Sequence, residues 1–386
     1  MTPPLAFGRE TPPPAEVLAQ VRAPFEAFAE RYHGQWVEPA VLQPLGLLLD
    51  LTGEALRAKL ILVSGEGEDQ AMRPDFTIPV TRAHIGAGAA KGRYLYAGDA
   101  YRTPEPDRPA EFAQVGLELL GPSDDPAGED ALVAGLAYSA VQAGGRRDLN
   151  LRFGDVGLFH AFLAAIGLPE TTAARLVRAL PNPRLLAREL DRAVGPPARK
   201  DGGRLSNGRL AATLADLPEG EAAGMLEELW RLAGIQPVGG RTPAEIVHRL
   251  ALRAEAANSP PLSPAESDLI RRYLKISAPV HQALSEVDSL AAEAKGDLSR
   301  PLETWMQRLK TLALAGVATD LPTLATGFAR PFGYYDGVLF EVTSPSLSGD
   351  EPIAGGGRYD GLPERLGGAR GAVGCMVRPA LAWSGS

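Results

Sequence analysis

Three residues that could hold a small polar ligand share one side of a strand-like segment. In "EFAQVGLELLG" (111–121), every second position is apolar, whereas Gln114, Gly116 and Glu118 lie on the opposite face. An amide, a bare backbone and a carboxylate in a row suit a ligand that lies across the glycine and bonds to its two neighbours. The alternative is a solvent-exposed face in which the glycine only weakens the strand.

A second segment, "AMRPDFTIPVTR" (71–82), places an acid beside a proline and ahead of a helical pattern. Its carboxylate, Asp75, could receive an ammonium or imidazolium group. The same carboxylate could instead cap a helix that begins near Thr77, because aspartate oxygens accept hydrogen bonds from the free amides of a first turn.

A third segment, "ARPFGYYDGVLFEV" (329–342), carries one arginine and two tyrosines at the start of a strand pattern. In an extended chain Tyr334 and Tyr335 point to opposite faces, so at most one of them would face the same site as Arg330. The alternative is an aromatic pair that packs in the core with its hydroxyl groups at the surface.

Glycine-rich and metal-ligating patterns restrict the chemistry further. "GGGRYDG" (355–361) lacks the GxxxxGK[ST] spacing of a phosphate loop and does not stand at a strand-to-helix turn. Three successive glycines favour instead a backbone that passes close to a neighbouring strand or a ligand. The five histidines are scattered and Cys375 is the only cysteine, so the sequence predicts no metal site.

The elements that would position these residues are strands towards both ends of the chain. Strand patterns occur at 93–101 and 111–120, which suit an antiparallel hairpin, and at 336–343 and 372–377. Together they predict a β-rich core assembled from two distant parts of the sequence.

The middle of the chain has a different character. Helical spacing recurs there, for example at 156–168 and 243–257, and is broken by loops rich in glycine and proline. We therefore predict an α+β fold with a discontinuous core, residues 1–155 and 318–386, that is interrupted by an all-helical insertion, residues 156–317.

The composition indicates the cellular compartment of the protein and argues against some classes of partner. The formal net charge of −8 and a pI near 5.4 argue against a broad nucleic-acid surface, which needs a basic face. A single cysteine indicates a reducing compartment. No apolar run reaches the roughly eighteen residues of a membrane span, and the N-terminus shows no signal-peptide pattern. The sequence thus predicts a cytoplasmic protein with no membrane partner.

Four of these pieces occur in an order that resembles one family. RPD, then Tyr-Arg followed by EFxQxGxE, then YYxGxxFE and GGGRYDGL resemble the catalytic core of class II aminoacyl-tRNA synthetases, specifically histidyl-tRNA synthetase and its paralogues. The resemblance covers residues 1–155 and 318–386. It implies an antiparallel sheet flanked by helices, and a homodimer formed through the first motif, whose proline matches Pro39.

The same resemblance implies a histidine site with the strand at 111–120 as its floor. No cofactor is implied. The histidine-binding residues that it assigns are Asp75, Thr77, Gln114, Gly116, Glu118, Arg330, Tyr334, Tyr335 and Tyr359.

The residues at positions where the family binds its nucleotide depart from the family pattern. Arg102 and Arg108 match two arginines of the second motif and its loop, but Ala110 stands where the family has a further arginine. The arginine of the third motif falls on Leu381, and Arg378 comes three residues early, beside a proline. Adenylate formation needs positioned cations on the triphosphate. We therefore expect Arg102 and Arg108 to form a vestigial nucleotide site that supports no adenylation.

These departures, with the expected absence of an anticodon-binding domain, resemble the family of ATP phosphoribosyltransferase regulatory subunits. The resemblance implies a non-catalytic subunit that assembles with the short-form catalytic subunit, mediates histidine feedback at the first step of histidine biosynthesis and binds no tRNA. The alternative is a synthetase-like enzyme that activates an amino acid for an acceptor other than tRNA, which the retained Arg330 would support.

Overall fold

The structure is a computed structural model that describes residues 9–52, 54–65, 67–105, 108–194, 217, 219–233, 262–318, 320–330, 333–347 and 351–385. Contacts between residues divide the chain into two compact units, Met1–Ala165 with Arg272–Ser386, and Ile166–Arg271. The helical pattern at 243–257 lies outside the described residues. Within the described ranges, no helix is both long and apolar enough to cross a membrane.

The strands of the described residues form one large and one small sheet. The strands are β1 (Gln35–Trp36), β2 (Leu42–Pro44), β3 (Leu62–Val63), β4 (Gln70–Met72), β5 (Gly92–Tyr101), β6 (Glu111–Leu120), β7 (Asn150–Asp155), β8 (Ser277–Pro279), β9 (Pro322–Ala325), β10 (Val338–Thr343), β11 (Ala354–Arg358) and β12 (Ala372–Val377). The large sheet has the order β1-β5-β6-β12-β11-β10-β7-β9-β8, and the small one the order β2-β4-β3. Pairing in the large sheet is antiparallel, except that β1 pairs with β5 and β7 with β9 in parallel.

The four strand patterns of the sequence all lie in this large sheet. β5 and β6 form the predicted antiparallel hairpin, and β12 has the predicted bounds. The strand predicted at 336–343 begins two residues later, at Val338. The carboxylate of Asp336 explains the delay, because it accepts hydrogen bonds from the backbone amides of Asp360 (2.9 Å) and Gly361 (2.7 Å) and so holds this segment in a turn.

Helices accompany the sheet in the first unit and make up the described part of the second. The helices are α1 (Ala15–Tyr32), α2 (Leu45–Thr52), α3 (Thr77–Gly86), α4 (Pro126–Ala143), α5 (Val156–Ala165), α6 (Glu170–Ala179), α7 (Pro183–Val194), α8 (Glu219–Ala233), α9 (Pro264–Tyr273), α10 (Val280–Glu293), α11 (Ser299–Leu314), α12 (Gly361–Arg365) and α13 (Pro379–Ala382), with a short 3₁₀-helix at Glu54–Lys59. α4 packs against β11 and β12, and α1 and α11 pack against α4.

The predicted helical insertion, residues 156–317, covers more of the chain than the second unit does. α5, α10 and α11 belong to the first unit, and β8 lies at the edge of the large sheet. A helical pattern shows which face of a helix is apolar but not which unit covers that face. A strand of three residues, such as β8, is too short to produce a pattern of its own. The boundaries at 155 and 317 remain predictions.

The glycines of β11 stand where neighbouring groups leave no room for a side chain. A Cβ on Gly356 would overlap the carbonyl oxygen of Gly374 on β12, and one on Gly357 would overlap the carbonyl of Val338 on β10. A Cβ on Gly355 would overlap a guanidinium group. The close backbone approach that the glycine pattern favours is therefore confirmed.

A buried network of charges fixes the end of β11. Arg358, which is 6% exposed, donates from Nε to Asp130 Oδ1 on α4 (2.6 Å) and from Nη1 to Asp360 (2.9 Å). The other oxygen of Asp130 accepts from Arg308 Nε on α11 (2.8 Å). These ion pairs hold the end of β11 in place, because a buried charge that lost its partner would cost several kcal/mol. They therefore also fix the position of the next residue, Tyr359.

Replacement of Gly356 by alanine should destabilise the protein by about 1–3 kcal/mol, because the added methyl group would push β11 away from β12. Urea unfolding of wild type and variant measures the loss. Gly46→Ala is the matched control, since a Cβ at this exposed position of α2 meets no atom within 4 Å. It should leave the free energy of unfolding unchanged or raise it by up to about 1 kcal/mol. Equal effects of the two substitutions would contradict the tight packing of β11.

Candidate functional site

A cleft of about 380 Å³ lies over the polar face of β6. Gln114 and Glu118 are each only 1% exposed, so the alternative of a solvent-exposed strand face is wrong. Seven of the nine residues assigned to a histidine site line this cleft, and the other two, Gly116 and Tyr359, contact side chains of the lining. The lining residues are Asp75, Thr77, Tyr96, Arg102, Gln114, Glu118, Arg330, Tyr334, Tyr335, Gly355, Gly374, Cys375 and Met376.

The glycine in the middle of β6 makes room for a tyrosine. Gly116 pairs with Tyr96 of β5, and a Cβ on Gly116 would overlap the ring and hydroxyl of Tyr96. The single hydroxyl hydrogen of Tyr96 can be donated to the Cys375 carbonyl (3.2 Å) or to Glu118 Oε1 (3.4 Å). The polar group that lies across the glycine is therefore a side chain of the same protein, and it separates Gly116 from the cleft.

Hydroxyl groups from three elements surround the carboxylate of Glu118. Thr77 at the start of α3 donates to Oε1 at 2.8 Å, Tyr96 lies near the same oxygen, and Tyr359 donates to Oε2. The carboxylate rests on Gly374 of β12, where a Cβ would overlap it. The sheet and α3 together thus hold one acidic group at a fixed place in the cleft wall.

Burial raises the pKa of Glu118 to about 8. Removing a carboxylate from water disfavours its charged form, and the charge of nearby Asp75 acts in the same direction. Hydrogen bonds from Tyr359 and Thr77 oppose the shift, because they stabilise the ionised form. At neutral pH the group therefore carries a proton, and a cation placed beside it would release that proton.

Three side chains direct polar atoms into the cleft without a hydrogen-bond partner among the described residues. These atoms are Gln114 Oε1 and Nε2, Asp75 Oδ1 and Arg330 Nη1. The other oxygen of Asp75 accepts a hydrogen bond from the Tyr334 hydroxyl at 3.4 Å. Burial raises the pKa of Asp75, and the charge of Arg102 opposes that shift. These polar atoms are therefore available to pair with a ligand in the cleft.

The backbone decides one of two alternatives that the sequence left open. Both Tyr334 and Tyr335 line the cleft, with ring centroids 4.8 Å apart. The expectation that at most one of them would face the site is wrong, because Tyr334 lies in a turn, Tyr335 lies in irregular chain, and β10 begins only at Val338.

The N-cap position of α3 is Phe76. Hydrogen bonds from the backbone amides of Thr77 and Ile78, in the first turn of α3, nevertheless act to lower the pKa of Asp75, so the capping alternative for this carboxylate stays open.

A second cleft, of about 360 Å³, adjoins the first at Arg102, which lines both. It contains the two arginines of the expected vestigial nucleotide site, Arg102 and Arg108, and adds Arg378. Arg378 is 5% exposed and follows the last residue of β12. The strand, and not a helix, brings Arg378 to this cleft, because α13 begins only after it, at Pro379.

Sequence reasoning missed Tyr96 and left Arg378 outside the site. Tyr96 stands directly opposite Gly116, so the register of the β5–β6 hairpin would have identified it. Neither strand's own pattern contains that register. In the ranges that the structure describes, no group of three or more His, Cys, Asp or Glu side chains could hold a metal ion.

Comparison with known sequences assigns this arrangement to a family. The family model of histidyl-tRNA synthetase matches residues 9–238 and 222–380. The ATP phosphoribosyltransferase regulatory subunit of Brucella anthropi is 35% identical over 338 residues, which cover 86% of this chain and 87% of that protein. The protein of the same name from Mesorhizobium japonicum is 36% identical over 338 residues, with the same coverage.

Solved structures share the fold. A protein from Bacillus halodurans described as an ATP phosphoribosyltransferase regulatory subunit/histidyl-tRNA synthetase has a TM-score of 0.61 at 20% identity, covering 98% of this chain and 81% of that one. Histidyl-tRNA synthetase from Nostoc sp. PCC 7120 has a TM-score of 0.59 at 15% identity, with coverages of 97% and 72%. At these identities the likeness concerns the fold alone.

The sheet, its flanking helices and these matches define a protein with the class II core of histidyl-tRNA synthetases. The predicted α+β fold of that class is therefore confirmed. Within the class, the chain belongs to the family of ATP phosphoribosyltransferase regulatory subunits. The name of that family describes a regulatory and not a catalytic subunit, which confirms the predicted non-catalytic role and gives no support to the amino-acid-activating alternative.

Glu118 should make the stability of the protein depend on pH. Its pKa is about 8 in the folded chain, against an ordinary value of 4.5, so the folded chain binds more protons between these limits. The free energy of unfolding should therefore fall as pH rises from about 5 to 8, by at most about 1.4 kcal/mol per unit. Urea unfolding at several pH values measures this slope.

Glu118→Gln should reduce that slope, because glutamine does not titrate while keeping the shape of the side chain. Glu286→Gln, at an exposed position of α10, is the control and should retain the slope of the wild type. If Glu118→Gln and wild type lose the same stability between pH 5 and pH 8, the carboxylate is ionised throughout and its raised pKa is refuted.

Proposed function

We propose that this chain assembles in the cytoplasm with the short-form catalytic subunit of ATP phosphoribosyltransferase and carries a histidine site for feedback on the first step of histidine biosynthesis. The shared name of the curated relatives supports the partnership. The observation that carries the histidine site is the set of unpartnered polar atoms of Gln114, Asp75 and Arg330 in one buried cleft.

These atoms match the two charged ends of a free amino acid. Asp75 Oδ1 can accept a hydrogen bond from an ammonium group, and Arg330 Nη1 can donate one to a carboxylate. The Gln114 amide offers one acceptor and two donors, so it can serve either end. A ligand that pairs with all three side chains would satisfy buried polar atoms to which the described residues offer no partner.

Glu118 supplies a partner for the imidazole ring. A carboxylate has room for about four hydrogen bonds, and hydroxyl groups of Thr77, Tyr96 and Tyr359 take up to three of them. The remaining place suits a ring nitrogen. Because the pKa of Glu118 is about 8, a neutral imidazole can accept the carboxyl proton, or the proton can pass to the ring to form an ion pair. The complex contains the same number of protons whether the shared proton lies on Glu118 or on the ring. Histidine can therefore bind without taking up a proton from solvent or releasing one.

The aromatic walls favour a flat ring over a flexible chain. Tyr334 and Tyr335 line the cleft, and their ring centroids lie 5.6 and 6.2 Å from that of Tyr359. Burial raises the pKa of all three hydroxyl groups, so they stay neutral and act as hydrogen-bond partners. We propose that these rings, with Glu118, select histidine among amino acids.

We also propose that the chain forms a homodimer through the region of its first motif and binds no tRNA. The net charge of −8 supports the second statement, because nucleic-acid surfaces are basic. The first is supported by large apolar side chains around Pro39 that are 36–47% exposed in the single chain. These side chains are Trp36, Val41, Leu42, Leu62 and Val63.

Gln114→Leu should separate binding from stability. The substitution removes two buried unpartnered polar atoms, so the free energy of unfolding should stay the same or rise by up to about 1–3 kcal/mol. Histidine affinity should fall at least about tenfold, which corresponds to the loss of one or two hydrogen bonds. Calorimetric titration with histidine and urea unfolding measure the two quantities.

The matched control is Gln43→Leu. Gln43 is 3% exposed, but its amide donates to the Ala40 carbonyl (2.8 Å) and accepts from Arg82 (2.7 Å). This variant should lose stability and, if it stays folded, keep the histidine affinity of the wild type. Unchanged histidine affinity in Gln114→Leu, or a loss of stability equal to that of Gln43→Leu, would show that the Gln114 amide is structural.

The assembly should be visible by sedimentation velocity. We expect a dimer of the isolated chain and a larger hetero-oligomer after addition of the short-form catalytic subunit. Leu62→Glu should shift the isolated chain towards the monomer, because it places a charge in the proposed dimer surface. Leu314→Glu, at an 82% exposed position of α11, is the control and should leave the dimer intact. A monomeric wild type whose mass does not change with the catalytic subunit would refute the assembly.

A further inference from the structure

The second cleft contains more basic than acidic side chains. Two of its arginines are held rigidly, since the guanidinium carbons of Arg102 and Arg378 lie 5.0 and 4.7 Å from the ring centroid of Phe112. Cations that are held in place before an anion arrives reduce the ordering cost of its binding. The charged lining residues are Lys59, Arg102, Arg108 and Arg378 against Glu105 and Glu351.

One of these acids uses its two oxygens on two different arginines. Glu351 Oε1 lies 3.4 Å from Arg108 Nε, and Glu351 Oε2 accepts a hydrogen bond from Arg378 Nη1. Two oxygens of a phosphate group would bridge two guanidinium groups in the same way. The carboxylate of Glu351 therefore occupies the place that the arginines offer to the anionic group of a ligand.

Neither arginine depends on Glu351 for a partner. Arg378 also donates from Nη2 to Glu10 Oε1, and Arg108 Nη1 lies 3.2 Å from Glu105 Oε2. Burial raises the pKa of Glu10, the charge of Arg378 opposes this, and the charge of Glu351 adds to it, so the two acids repel each other at one guanidinium group. An ion pair whose only role was to stabilise the fold would need a single acid at Arg378, either Glu10 or Glu351, and not both.

We propose that Glu351 is an internal counter-anion that closes the second cleft to phosphate-bearing ligands. With Glu10, Glu105 and Glu351 ionised, three negative charges offset all but one of the four positive charges of the cleft, which are those of three arginines and Lys59. An incoming phosphate would have to displace a carboxylate that the chain itself holds in place, at a high effective concentration. The proposal does not depend on histidine, because it concerns the binding of anions to the isolated chain.

Glu351→Gln should open the cleft to pyrophosphate. Calorimetric titration should show at least about ten- to hundredfold tighter binding of pyrophosphate to this variant than to the wild type, because two arginines lose a charged competitor. Glu351→Ser should show the same gain. This second variant controls for any contact that the glutamine amide itself makes with pyrophosphate. Glu351→Asp keeps the charge and should bind pyrophosphate as weakly as the wild type. Adding Arg108→Gln to Glu351→Gln should remove most of the gain.

The matched control is Glu293→Gln, which makes the same change in net charge at an exposed ion pair with Arg272. It should not increase pyrophosphate binding. Three results would overturn the proposal: wild type that binds pyrophosphate as tightly as Glu351→Gln, folded Gln and Ser variants without a gain, or a gain of equal size in Glu293→Gln. Failure of both Glu351 variants to fold, judged by thermal unfolding, would also overturn it, because Glu351 would then be needed for the fold.

Discussion

The burial of one carboxylate in the wall of a sheet is the constraint on which the candidate site depends. Glu118 is 1% exposed, and such a group is tolerated only where donors surround it. Thr77, Tyr96 and Tyr359 supply these donors from three separate elements. Tyr359 in turn follows Arg358, which buried ion pairs hold in place. The shape of the cleft is thus set by polar contacts as much as by apolar packing.

The two neighbouring clefts satisfy their polar groups in opposite ways. In the first, Gln114 and Asp75 keep atoms without partners, so a ligand can supply what the chain does not. In the second, acids of the same chain already pair with Arg108 and Arg378. Arg102 lines both. This contrast agrees with the proposed histidine site in the first cleft and with the proposed internal counter-anion in the second.

The sequence predicted the centre of the fold because the relevant signals are local. The alternation of apolar and other residues predicted the bounds of β6 and β12, and the successive glycines of β11 indicated that neighbouring strands approach closely. Spacing could not bring Asp75 and Tyr334 together, since they are 259 positions apart and only the order of the motifs linked them. It also could not show that Tyr334 and Tyr335 lie ahead of the strand and not in it, because Asp336 holds this part of the chain through hydrogen bonds from the amides of a distant segment.

The contact between Tyr96 and Gly116 has a consequence for how this strand pair can evolve. Any side chain at Gly116 would collide with the Tyr96 ring and with the backbone carbonyl oxygen of Cys375, whereas a smaller residue at position 96 would leave a gap over the glycine. A smaller residue at position 96 would remove only the first of these two overlaps, so position 116 is restricted to glycine whichever residue stands at position 96. The constraint therefore runs in one direction: lineages of this family can replace the tyrosine while they keep the glycine, but they should not replace the glycine.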